Sequence, residues 1–196
     1  MRRRRLALAG PLMALLGGCA APAARPRVPD IVAVAAWGGT SPPLPAQAQP
    51  ITRLTLHHQG ETWKPGADVQ DYLRRLQRWS RQARGWVDIP YHYIVAQDGR
   101  AYAARPWQIA GDTNTEYDPR GHLLVMLVGN FEVQEPTPAQ WQGTVELVAH
   151  LLVQHGLHVE DLATHRDLSA QTLCPGAHLY RRFDELKRAV GVRLAV

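Results

Sequence analysis

Cysteine is scarce in this chain: two residues in 196, at positions 19 and 174. At most one disulfide could form, so the fold has to rest on an apolar core. A chain about one domain long carries enough apolar residues for that. Long hydrophobic runs are missing too. The apolar stretch Leu6 to Gly18 falls short of the about 20 residues that a permanent membrane-spanning helix needs. Internal repeats are also absent.

The N-terminus reads as an export signal. Arg2 to Arg5 form a positive n-region ahead of the short apolar stretch, the pattern of a signal peptide. Leu16-Gly17-Gly18-Cys19 fits a bacterial lipoprotein cleavage site, in which small residues precede the cysteine that is lipidated. The expected organisation is a signal over 1–18, lipidation at Cys19, a Pro/Ala tether over 19–30 and one domain over 31–196. Ala20 is not the aspartate associated with inner-membrane retention. The expected location is therefore the periplasmic face of the outer membrane, reached through the lipid anchor only. Removing the signal takes away four arginines and no acids, so the formal charge of +5 becomes +1. A nucleic-acid partner loses its main support with that charge, and a monomer is expected.

Further along, ITRLTLHH (51–58) reads as a strand that ends in two histidines. From Ala67 to Arg84, the residues Val69, Leu73, Leu76 and Ala83 fall near one helical face. Arg74, Arg75, Arg78 and Arg81 populate the rest and read as a solvated surface. YHYIVAQ (91–97) and RAYAA (100–104) flank an Asp98-Gly99 turn as a hairpin. HLLVMLVGN (122–130) suits a central strand covered on both faces. Thr137-Pro138-Ala139-Gln140 opens a helix with a capping box, which carries Trp141, Val145, Val148 and Leu152 inwards and stops at Gly156. A last helix over about 177–190 buries Leu179, Phe183, Leu186 and Val190. The fold class is α/β, a mixed sheet flanked by helices.

The sequence HRDLSAQTLCPG (165–176) raises the question of Cys174. If Cys19 is lipidated, Cys174 is a free thiol in an oxidising compartment. It is a buried structural cysteine, a catalytic nucleophile or a metal ligand. His165 nearby and the strand-end pair His57 and His58 favour the ligand. Two imidazoles and a thiolate suit tetrahedral zinc with a fourth position open. The residues are too widely spaced for a compact metal motif, and the three readings stay open on spacing alone.

Five segments in order resemble the type 2 N-acetylmuramoyl-L-alanine amidases, the family that includes peptidoglycan recognition proteins and phage amidase lysozymes. They are AAWGG (35–39), ITRLTLHHQG (51–60), RGWVDIPYHYIVAQDGRAY (84–102), LVGNFEVQEPTPAQ (127–140) and HRDLSAQTLCPGAHLY (165–180). The likeness runs over about 31–190. It implies a single amidase domain that hydrolyses the amide between N-acetylmuramic acid and L-alanine in peptidoglycan, with Zn²⁺ as cofactor. Carried over by position, the zinc ligands are His57, His165 and Cys174. Tyr91 takes the place of the catalytic tyrosine, and Thr172 is a second donor to the developing oxyanion. His58, Trp63 and His92 are expected along the substrate groove. With no acid in LVMLVGN before Glu132, the tyrosine variant of the mechanism is favoured over one using a strand glutamate. Two departures stand out. His165 and Cys174 are nine positions apart where the family commonly has eight, and Gly111-Asp112 replaces an Ala-His pair. The alternative readings are a non-catalytic peptidoglycan-binding module and a cysteine peptidase.

Overall fold

The computed structural model describes residues 28–195, so the signal, Cys19 and most of the tether lie outside the described residues. Among the described residues, six strands form one sheet in the order β1-β4-β3-β5-β2-β6. They are β1 (Ile31–Val32), β2 (Arg53–His58), β3 (Tyr93–Val95), β4 (Ala101–Ala103), β5 (His122–Leu127) and β6 (Leu162–Thr164). The β3–β4 hairpin is antiparallel, and the other four pairings of this sheet are parallel. The mixed sheet agrees with the sequence reading.

Strand periodicity sends alternate residues to two cores. Leu54 and Leu56 of β2, Val95 of β3 and Leu123, Val125 and Leu127 of β5 join one. The helices α2 (Pro138–His155) and α5 (Phe183–Leu194) cover it. Ile94, Tyr102, Met126 and Val128 point the other way, towards α1 (Val69–Gln82) and the short turn bearing Trp37. Both faces are covered, which explains the nearly continuous apolar composition of β5. No helix among the described residues is long and apolar enough to cross a membrane.

Four expectations need correction. In α1, Gln77 and Ser80 are buried instead of Ala83, and Gln77 is satisfied there by donating to Thr40 O and to the buried Asp88. Nor are the α1 arginines uniformly solvated. Arg74 donates to Trp37 O and Arg81 to Thr40 O, pinning the N-terminal segment to the helix, while Arg75 and Arg78 stay exposed. At α2 the Thr137 hydroxyl caps Gln140 N as expected, but Gln140 does not reach back to close a box. Its Nε2 donates to Val95 O and Val128 O, tying helix to sheet at the end of the β3–β5 pairing.

The last helix is two. α4 (Ala177–Arg181) and α5 are separated at Arg182, whose φ of −95° and ψ of 6° leave the helical region. Leu179, Phe183, Leu186 and Val190 nevertheless all reach the core, as their spacing predicts.

Candidate metal centre and catalytic cleft

The parallel pairing of β2 and β6 is what assembles the site. Leu56 stands opposite Thr164, so the next residues, His57 and His165, emerge side by side at the C-terminal ends of the two strands. Their ring centroids are 4.7 Å apart. His165 opens the short helix α3 (His165–Leu168), where Asp167 accepts from both the backbone and the hydroxyl of Thr164 at 2.8 and 2.7 Å. That turn fixes the direction in which the imidazole leaves the strand.

Cys174 returns to the same place after the loop that follows α3. Arg166 N donates to Cys174 O at 2.8 Å, and the thiol lies 3.3 Å from His58 N. In the turn between His165 and Cys174, Ser169 N bonds His165 O and Gln171 N bonds the Ser169 hydroxyl. Gly176 has φ 91°, and a Cβ there would lie 2.4 Å from the carbonyl carbon of Phe131. The Pro-Gly after the cysteine therefore lets the chain pass tight against the end of β5.

The ligand atoms of His57, His165 and Cys174 all lie within 4.8 Å of one another, and all three residues are buried. Sγ of Cys174 is 3.7 Å from Nδ1 of His57. Zinc with Zn–N about 2.0–2.1 Å and Zn–S about 2.3 Å in tetrahedral geometry sets that edge at about 3.5–3.6 Å. Donor chemistry and this edge both fit the ion. Burial depresses the histidines, His57 well below its ordinary range and His165 to about 4, so both are neutral bases ready to ligate. Burial pushes the Cys174 thiol up to about 12, only partly offset by the His58 N–H. A cysteine nucleophile needs the opposite shift, which weakens the peptidase reading.

These three side chains form the floor of a cleft whose walls include His58, Tyr91, Asp112, Thr115 and Thr172. Tyr91 stands over His57 at 5.1 Å between centroids, and burial raises its phenol well above the ordinary value. It is therefore a hydrogen-bond donor at neutral pH. Thr172 Oγ1 accepts from Cys174 N at 3.0 Å, which leaves its own proton free for the cleft. His58 lines the cleft while its Nδ1 accepts from Phe131 N. Past Gln59, Trp86, Pro90, Tyr91 and Asn114, the cleft continues into a second hollow along Tyr72, Arg75 and Trp79 of α1.

Two residues expected in the groove are elsewhere. His92 is 1% exposed, with one ring nitrogen on Ile109 O and the other accepting from Leu124 N. It clamps the hairpin to β5 and has no nitrogen left for a ligand. Trp63 packs edge-on against Tyr72 and lines a separate hollow with Pro65 and Asp68. Sequence reasoning in turn missed Thr115, Tyr117 and the ion pair of buried Arg105 with Asp112. The stretch GDTNTEYDPRG that supplies three of them has only a loop's composition. Its first residue is constrained: a Cβ on Gly111 would come within 2.3 Å of Leu124 and 2.6 Å of Pro90 O.

A family model described as N-acetylmuramoyl-L-alanine amidase matches residues 47–177. The chain belongs to this family. It is 32% identical over 139 residues to an N-acetylmuramoyl-L-alanine amidase of Sus scrofa, a match covering 67% of this chain and 22% of the relative. The chain thus spans about a fifth of the length of the pig and human amidases it matches. Among solved structures, Drosophila peptidoglycan recognition protein SD superposes with TM-score 0.70 at 26% identity, over 80% of this chain and 94% of that one. The amidase LysC from Clostridium intestinale gives TM-score 0.67 at 26% identity, over 83% and 98%. Both cover nearly the whole of the matched chain, so this family member has the single-domain amidase and recognition-protein fold.

Proposed function

We propose that the protein is a zinc-dependent N-acetylmuramoyl-L-alanine amidase acting on peptidoglycan. The observation that carries this reading is the buried His57, His165 and Cys174 set at the floor of an open cleft. Three protein ligands with an accessible fourth side are the pattern of a catalytic site, since structural zinc sites close all four positions. Bound there, zinc would supply Lewis acidity and bring the ionisation of water from pKa 15.7 to about 7.

The chain's own residues do the rest. The cleft and the hollow along α1 hold the glycan-linked peptide with its scissile amide over the floor. The neutral Tyr91 phenol donates to the carbonyl oxygen as negative charge develops there, and the Thr172 hydroxyl, which lines the same cleft, has its proton free to donate as well. Such preorganised donors stabilise charge that exists only in the transition state. Glu132 takes no part, because its carboxylate accepts from Ala177 N at 2.9 Å behind the site. This favours the tyrosine variant of the mechanism.

Residues 1–19 support export and lipid anchoring at the periplasmic face of the outer membrane, where peptidoglycan is within reach. The test is mass spectrometry of muropeptides after digestion with purified protein. Release of intact stem peptides, abolished by chelation and restored by Zn²⁺, is expected. Binding to sacculi with no cleavage under any metal condition would replace the enzyme with a peptidoglycan-binding module.

A further inference from the structure

The loop between β4 and β5 places two hydroxyls against the outer edges of the metal histidines. Thr115 Oγ1 is 2.7 Å from His165 Nε2, and Tyr117 Oη is 3.4 Å from His57 Nε2. The inner nitrogen of His57, Nδ1, is the one 3.7 Å from the Cys174 sulfur. With Nε2 of His165 engaged by Thr115, its Nδ1 is the nitrogen free to ligate. We infer that Thr115 and Tyr117 are positioning residues for the metal centre, each accepting the outer Nε2–H of one histidine so that both rings turn Nδ1 towards the ion. The inference rests on the zinc reading proposed above.

The proton bookkeeping closes. A histidine that ligates through Nδ1 carries its hydrogen on Nε2, which must donate outwards. Thr115 Oγ1 accepts that hydrogen and passes its own to Thr113 Oγ1 at 2.9 Å, which also accepts from Thr115 N at 3.1 Å. The Thr115 hydroxyl is thus held with a lone pair facing His165. Tyr117 is held by packing, its ring 5.0 Å from His165 and 5.5 Å from His122, whose Nδ1 is in turn 2.9 Å from the Thr55 hydroxyl. Between the two, Glu116 accepts from Ser169 Oγ at 2.7 Å, fastening this loop to the one that follows His165. One loop therefore orients both imidazoles without touching the ion.

Outer partners of ligating histidines typically set metal affinity by a factor of about 10–100. Zinc affinity of the purified protein is measured by competition with a chromophoric chelator, beside the visible spectrum of the Co²⁺-loaded form. Thr115→Val should weaken zinc binding about tenfold or more and shift the Co²⁺ bands, and Thr115→Ser should restore both. Tyr117→Phe should weaken it less, since its contact is longer. Melting curves of the metal-free proteins show whether Thr115→Val still folds. If it does not, Tyr117→Phe, which loses only a hydroxyl, decides in its place. Folded variants that bind zinc within twofold of wild type, with unchanged Co²⁺ bands, overturn the inference and leave the metal centre standing. A wild-type protein that takes up no zinc overturns both.

Discussion

Sγ of Cys174 lies 3.7 Å from Nδ1 of His57, although 117 positions separate the two residues. The sulfur is protonated in the metal-free protein, because burial lifts the thiol to about 12, whereas the neighbouring His165 is held at about 4 and stays neutral. Zinc uptake at pH 6 should therefore release about one proton per ion, from the thiol alone. Calorimetry in buffers of different ionisation enthalpy reads this number, and a value near two would mean that an imidazole starts out charged.

Replacing a ligand should remove the metal and the activity together. Cys174→Ser and His165→Ala are expected to carry no stoichiometric zinc after dialysis and to release no stem peptide. Metal analysis beside the muropeptide assay checks this. Activity close to wild type in either variant would defeat the proposed mechanism.

Tyr91 should act on rate and not on metal. Its ring stands over His57 without being one of the ligands. Tyr91→Phe is expected to lower kcat by about 10²–10³, the usual cost of one lost oxyanion donor, with zinc content unchanged. Steady-state kinetics decides, since a loss confined to KM would mark a binding residue instead.

His92 sets a pH dependence of stability. In the folded protein, burial holds it at about 4, against an ordinary 6.5. Between those values the unfolded chain binds a proton that the folded chain refuses, so stability falls as pH falls from about 6.5 towards 4. The melting temperature of the metal-free protein should be lower at pH 5 than at pH 7. His92→Gln should reduce that slope without abolishing it, since burial depresses His57 and His165 in the same direction; an unaltered slope would assign it to those histidines alone.

Gln140 links α2 to the carbonyls of Val95 and Val128. In Gln140→Leu, Val95 O keeps its bond from Val128 N while Val128 O loses its donor, at an expected cost on the order of 1–3 kcal/mol. Urea unfolding measures it, and a change under about 0.5 kcal/mol would show that water replaces the amide.

The signals that served at the level of sequence were local ones. Thr137, Pro138 and Gly156 bound α2 because capping is decided within a turn of the helix ends. The apolar spacing of Leu179, Phe183, Leu186 and Val190 survives the break at Arg182, since both short helices present one side to the same core. What was not legible depends on contacts between distant segments. The side chain of Gln140 serves the sheet and not its own cap. β6 is only three residues long, and nothing within Leu162–Thr164 announces its partner β2. His92 looks like a groove residue beside Tyr91, but the two precede β3, and the His92 ring turns inwards onto Ile109 O and Leu124 N, contacts that the sequence does not announce. Thr115 and Tyr117 gain their roles only when the loop folds over the ends of two strands.

β2 is hydrogen-bonded along both edges, by β5 on one side and β6 on the other. Amide protons at the heart of such a strand exchange with deuterium only when much of the domain opens. The platform bearing His57 should therefore stay assembled whether or not the proposed ion is bound, so that losing and regaining it would require no refolding.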